Sequence, residues 1–349
     1  MKDEILLAIK KEIGLRRHEL ENKTIKSLYF GGGTPSVLSV DEIKSLIDEF
    51  QTCFSFDENI EMTLESNPDD LSKNFLKELS QTEINRLSIG TQSFFDEDLK
   101  MMNRAHNASE AESSIKRAQD FGLENISIDL IYGSPTSNLE IWKDNLNRTI
   151  ELQVPHVSSY ALTVEPKTAL EKWIQNGKVT PPEEGEQNKE FYYMSDFLKQ
   201  NGFDHYEISN FGKPGFHSKH NSAYWKSEPY LGIGPSAHSY DGNLERSWNI
   251  ANNSLYIKNI NQNILPKETE ILSEKDRFNE MMMIGLRTIW GVDLNKINQN
   301  FSSEIIDYFN EEIKNKLESE ILVIENNHLL IPEKHWFLAD GIASDLFMV

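Results

Sequence analysis

A single cysteine, Cys53, in 349 residues excludes an intramolecular disulfide framework and any cysteine-rich metal site built from this chain alone. Positive charge is also scarce. The 35 Lys and Arg residues stand against 56 Asp and Glu, and the resulting formal net charge of -21 disfavours non-specific attraction to nucleic acid or anionic membrane. No apolar run is long enough to span a bilayer, and the N-terminus, MKDEILLAIKKEIGLRR, has no signal-peptide pattern, so a cytoplasmic location is expected. What the chain does have is an ordinary core. At 38% hydrophobic residues it can fold as one large α/β domain plus a smaller one.

The chain is organised around SLYFGGGTPS, residues 27 to 36. Apolar residues run up to Phe30 and then meet Gly31, Gly32, Gly33, Thr34 and Pro35, which reads as a buried parallel strand breaking into a bare-backbone turn. Without Cβ atoms, such a loop lets a ligand approach the peptide N–H and C=O groups closely. An ordinary tight strand-to-helix turn would read the same way in isolation.

Helical spacing of Ile5, Leu6, Ile9, Ile13 and Leu15 predicts an opening helix over 3–21, followed by a strand at 27–30. Ser39 caps a helix whose face is Ile43, Leu46, Ile47 and Phe50. Strands are then expected at 60–66, 85–90, 125–132 and 157–162, with helices at 70–79, 108–121 and 139–152. A helix over 188–199 and a strand over 205–208 extend the series. This βα repetition predicts a parallel sheet in a full or partial (β/α) barrel.

Strand C-termini face the active site in that architecture. The Gly31–Thr34 loop, Glu65, Gln92 and Asp129 each fall at or just past such an end, and Arg104 follows in the loop region after Gln92. A carboxylate such as Glu65 or Asp129 can accept bonds from ribose hydroxyls, and Arg104 can clamp a ligand carboxylate in two-point fashion.

In order and spacing, YFGGGTPS, LESNP, NRLSIGTQSF, NRAH and SIDLIYGSP resemble the oxygen-independent coproporphyrinogen III oxidase family of radical S-adenosylmethionine (SAM) proteins over roughly the first 240 residues. The resemblance implies that Gly32, Gly33 and Thr34 bind the methionine part of SAM, with Glu65, Gln92, Arg104 and Asp129 completing the pocket. It further implies a [4Fe–4S] cluster as a family cofactor.

A second stretch is HNSAYW, residues 220 to 225, followed by YLGIGPSAH. By itself it reads as a polar loop before an irregular glycine-containing segment, in which a histidine is commonly just hydrogen-bonded. His-Asn-x-x-Tyr resembles the haem-binding motif of the haem chaperone branch of the same family. That resemblance makes His220, Asn221 and Tyr224 the haem-site candidates, His220 as the iron ligand, with His217 and His238 as substitutes. The partners it implies are haem and haem-accepting proteins, respiratory ones among them, with membrane association only through those partners.

One departure stands against the family pattern. Its members carry a CxxxCxxC motif after the first barrel strand, upstream of what is here Met1, and Cys53 lies elsewhere and reads as a small buried residue. An N-terminal truncation is therefore expected. The chain as it stands should bind no [4Fe–4S] cluster and cleave no SAM reductively, since three thiolates would be needed to hold the cubane.

After residue 264, LPKETEILSEKDR reads as a connector. A helix over 277–290 follows with the stripe Phe278, Met281, Met282, Gly285, Leu286 and Ile289, where the methionines are core filling. Helices near 294–301 and 305–317, strands at 321–325 and 328–331, and a last helix to 347 predict a winged-helix-like α+β module, whose acidic run through Glu304, Asp307, Glu311, Glu312, Glu318 and Glu320 would repel phosphates. The expected architecture is thus a partial (β/α) radical-SAM-type barrel over 1–264, missing its first strand and cluster loop, and a C-terminal winged-helix-like domain over 265–349. Three functions are compatible: a haem chaperone on a radical SAM scaffold, favoured by HNSAYW; an oxidase converting coproporphyrinogen III to protoporphyrinogen IX; and a scaffold with a residual ligand pocket.

Overall fold

A computed structural model describes residues 1–20 and 24–349. The end of the expected opening helix, at Glu21, lies outside the described residues. Internal packing divides the chain into two compact units, the first built from Met1–Leu28, Ser39–Ile60 and Lys219–Val349, the second from Tyr29–Leu38 and Glu61–Ser218.

The chain opens with α1 (Lys2–Leu15), β1 (Thr24–Phe30), α2 (Val40–Cys53) and β2 (Ser55–Ser66). Ser39 caps α2 in a complete capping box with Glu42, which satisfies two of the orphan N–H groups of the first turn. The series continues through α3 (Lys73–Leu79), β3 (Arg86–Gln92), α4 (Asp96–Met101), α5 (Ala108–Asp120), β4 (Ile126–Tyr132), α6 (Leu139–Glu151), β5 (His156–Ala161), α7 (Ala169–Gln175) and α8 (Glu184–Gln200). The pairs β2/β3, β3/β4 and β4/β5 are parallel, as the alternation of strands and helices requires. The apolar residues of β3 and β4 carry the second unit's core, with Leu87, Ile89, Ile126, Ile128 and Leu130 all fully buried.

The series does not simply continue after α8. Strand β6 (Asp204–Glu207) is followed at once by β7 (Asn210–Gly212), and the sheet order is β1-β2-β3-β4-β5-β7-β6. β7 runs antiparallel to both β5 and β6, so the strand expected near 205–208 does not neighbour β5. A two-residue link permits only a hairpin, because a parallel return needs a crossover of a dozen residues.

In the first unit, α9 (Lys219–Trp225) leads to β8 (His238–Tyr240), β9 (Glu245–Asn249), α10 (Asn253–Asn261) and β10 (Lys267–Ile271), with β8, β9 and β10 forming an antiparallel sheet. The expected connector after residue 264 therefore contains a strand, β10. Helix α11 (Glu274–Gly285) carries Phe278 and Met282 fully buried, but it ends before Ile289, which is exposed. Next come β11 (Val292–Asp293), α12 (Leu294–Asn300), α13 (Ser303–Glu318), β12 (Val323–Glu325), β13 (His328–Leu330) and α14 (Ala339–Ser344). β11, β13 and β12 form a small antiparallel sheet in that order. Among the described residues, no helix is long and apolar enough to cross a membrane.

The first unit also buries charge. Glu12, on α1 and inaccessible to solvent, accepts from Arg16 at 3.2 Å, the Asn249 amide at 2.7 Å, the Tyr256 hydroxyl at 2.6 Å and the Gly234 N–H at 2.8 Å. Arg16, just past α1, donates in turn to Glu19, the Gly232 carbonyl and Ser239. Every lone pair of Glu12 is occupied, which is the condition for burying a carboxylate.

Candidate functional site

The second unit carries a cavity of about 150 Å³ at the C-terminal ends of its strands, lined by Gly33, Thr34, Pro35, Glu65, Ser66, Asn67, Ser88, Gly90, Gln92, Arg104 and Asp129. Five of the residues picked from strand ends and their following loops line it together with Gly33: Thr34, Glu65, Gln92, Arg104 and Asp129. Gly32 touches the same group differently, donating its N–H to Glu65 Oε2 at 3.1 Å. The other Glu65 oxygen accepts from the Tyr29 hydroxyl at 2.7 Å. Gly31 makes that bond possible, since a Cβ there would stand 2.5 Å from the Tyr29 ring and 3.0 Å from Glu65 Oε1. Gly32 and Gly33 have φ of 75° and 64°, with open space where side chains would be, so the loop turns through the left-handed region and leaves a bare cradle.

Opposite the glycines, Arg104 donates to Asn67 Oδ1 at 3.0 Å and lies 3.4 Å from the Gly90 carbonyl. Gln92 ends β3 at φ 65°, where the register of β3 on β4 shifts, and this bulge re-aims its amide toward the cavity. Asp129 sits mid-strand on β4, 3.4 Å from the Ser88 hydroxyl. Burial pushes its carboxyl up to about 7, and the neighbouring Glu65 charge adds to the rise against the opposing effects of Ser88, Ser158 and Arg104. Reasoning from the sequence missed Tyr29, Ser66, Asn67 and Ser88. Position in a strand marks Ser66 and Ser88 only once the register is known.

The Asp129 shift gives a measurable sign. The folded chain holds this proton more tightly than the unfolded chain, so the stability it contributes is complete below the ordinary pKa of 3.8 and is lost as pH rises through about 7. Asp129→Asn removes this dependence. Thermal melts at about pH 5 and about pH 8 should show the variant gaining on wild type at the higher pH by on the order of a few degrees. An unchanged difference between the two pH values would show that Asp129 titrates normally.

A second cavity of about 370 Å³ shares Gln92 and Arg104 with the first and is otherwise mainly apolar, lined by Met101, Met102, Ile131, Leu162, Leu170 and Trp173, with Asn103 and Thr168 as its further polar residues. The two chambers thus meet at the Arg104 guanidinium and the Gln92 amide.

In the first unit, HNSAYW forms the short helix α9 and not a loop. His220 and Tyr224 are one helical turn apart, with rings edge-to-face at 4.9 Å. Tyr224 meets Tyr230 at 4.6 Å, and Tyr230 is bridged to Tyr240 with ring centroids 6.2 Å apart. His220 Nδ1 lies 3.2 Å from the Ser27 hydroxyl, and burial lowers its pKa to about 4. The imidazole is therefore neutral at physiological pH, the form that ligates metal. Burial raises Tyr224 to about 12 while its side chain remains 41% exposed. Asn221 is half-buried beside them. His217, in the second unit, bonds Asp204 at 2.9 Å and stacks on Tyr206, whereas His238, in the first, is exposed beside Trp248.

Comparison with known proteins agrees with this layout. Residues 9–148 match the radical SAM superfamily and residues 272–338 the HemN C-terminal domain. The heme chaperone HemW of Lactococcus lactis is 34% identical, covering 92% of this chain and 84% of that protein, and HemW of Bacillus subtilis is 33% identical over 92% and 85%. The chain belongs to the HemW family. Among solved structures, coproporphyrinogen III oxidase (HemN) of Escherichia coli, a radical SAM enzyme, superposes with a TM-score of 0.83 at 22% identity over 99% of this chain and 83% of that one. This establishes the fold as that of radical SAM proteins of the HemN type, an α/β partial barrel with a C-terminal domain.

Membership of the radical SAM superfamily implies SAM and a [4Fe–4S] cluster. The cavity fits the first. It offers two carboxylates, one guanidinium, the bare Gly32–Gly33 cradle and the buried Ser66 hydroxyl, which has no partner among the described residues. A cluster is another matter. Cys53 closes α2, with burial as the main cause of a raised thiol pKa, and among the described residues no group of three His, Cys, Asp or Glu side chains is placed to hold a metal ion.

Proposed function

We propose that this chain binds haem at α9 and delivers it to haem-accepting proteins, on a scaffold whose polar cavity takes SAM. The observation that carries the haem reading is His220: a neutral imidazole whose Nδ1 is tied to Ser27 and whose ring is braced by Tyr224. A hydrogen bond that fixes the orientation of an imidazole is a usual preparation for metal ligation. Tyr224 offers an aromatic face for the macrocycle, and Asn221 would orient the histidine or bond a propionate. In the cavity, Glu65 and Asp129 would receive the ribose hydroxyls, Arg104 the ligand carboxylate, and Gly32, Gly33 and Thr34 the methionine backbone, with Gln92 on the same wall. SAM supplies a sulfonium centre. This chain's residues bind and orient it.

Haem titration followed by absorbance tests the reading. His220→Ala should shift the Soret and charge-transfer bands and weaken binding, because the iron loses a protein ligand. Tyr224→Ala, which removes the aromatic face, should weaken affinity with a smaller spectral change, and His217→Ala and His238→Ala should match wild type. Identical spectra and affinities for wild type and His220→Ala would remove His220 from the iron and the haem site from α9.

A further inference from the structure

Around the end of α9 the first unit gathers hydrogen-bond donors that nothing among the described residues satisfies. Trp225 closes the helix, with the Arg287 guanidinium carbon 5.3 Å from the centre of its ring. The next residue, Lys226, sets its ammonium 4.8 Å from the Trp290 ring centre. Arg246 faces Tyr240 across the β8/β9 ladder, at the far end of the aromatic series that begins at His220. The Trp225 indole N–H and the Nε groups of Arg246 and Arg287 are all buried without a partner among the described residues. Neither guanidinium is otherwise idle, for Arg246 pairs with Glu280 and Arg287 with Asp340, and it is the Nε edge that stays unsatisfied. Three orphan donors, two of them cationic, are costly to bury and match a ligand that brings only acceptors.

The geometry points to a carboxylate-binding rim, formed by Arg246, Arg287, Lys226 and the Trp225 N–H, that holds the propionates of a tetrapyrrole while its macrocycle lies on the Tyr224 side of α9. This rests on the haem reading of α9 and adds what selects the ligand. Iron ligation alone accepts any iron porphyrin; the rim requires free propionates. A planar guanidinium offering two parallel N–H groups suits a carboxylate better than an ammonium does.

The test compares iron protoporphyrin IX with its dimethyl ester, both dispersed in the same detergent and titrated into the full chain. Wild type should bind the diacid about tenfold or more tighter than the ester. Arg246→Gln with Arg287→Gln should lose that preference while keeping the wild-type Soret position, since the iron ligand is untouched. If the double variant melts early, Arg287→Lys decides, because it keeps the charge and loses the fork; it should weaken the diacid and leave the ester unchanged. Equal binding of diacid and ester by wild type, or diacid affinity unchanged in the variants, overturns the rim. Absence of any His220-dependent Soret change in wild type instead overturns the haem reading on which the rim rests.

Discussion

Glu12→Ala should destabilise the protein by about 3–5 kcal/mol, the cost of breaking a buried ion pair and stranding its partner. Four donors converge on this carboxylate, and among the described residues Arg16, with 1% of its side chain exposed, would keep only Glu19 as a counter-charge. The Tyr256 hydroxyl and the Gly234 N–H would lose their acceptor inside the protein, where water cannot readily replace it. Urea denaturation should show the midpoint falling with little change in slope, and the melting temperature should drop by on the order of ten degrees. Glu4→Ala, on the exposed first turn of the same helix, is the control and should stay within about 0.5 kcal/mol of wild type. Equal effects from the two substitutions would mean that the Glu12 network contributes nothing beyond helix propensity.

The second large effect is on ligand affinity. Removing both Arg104 and Asp129 by alanine substitution should weaken SAM binding about a hundredfold, taking each charge-assisted contact as about tenfold. Both line the one polar cavity with the glycine cradle, and neither belongs to the main apolar core, so the fold should survive. Isothermal calorimetry on the purified chain reads the change directly. Wild-type affinity in the double variant would place the ligand elsewhere and leave Arg104 as a brace for Asn67.

Much of the sheet and of the polar cavity is legible in the amino-acid sequence. β3 and β4 announce themselves because strands buried on both faces must be nearly continuous apolar runs, and Leu87, Ile89, Ile126 and Ile128 leave little else to predict. Strand ends then place Glu65 and Gln92 by counting. Other elements give no periodic signal. β10, KETEI, is almost wholly exposed and pairs only with β9, so no apolar alternation marks it. α9 has no buried residue and hence no apolar stripe, which is why HNSAYW reads as a loop. Gln92 at positive φ is a backbone state that its side chain does not encode. Glu12 is the least legible, because a glutamate between lysines and isoleucines on a helix reads as part of a solvated face until its distant partners are known.

That distance has a consequence for synthesis. Three of the four donors to Glu12 lie 222 to 244 residues further along the chain. At the usual 5–20 residues per second, on the order of ten to fifty seconds pass between the emergence of α1 from the ribosome and the arrival of Gly234, Asn249 and Tyr256. Throughout that interval the second unit's sheet can form while the side of α1 that packs on Tyr256 and Ile260 waits uncovered. This helix is the natural landing place for a nascent-chain chaperone, and slowing translation after residue 218 should lengthen its exposure and favour aggregation without altering a single native contact.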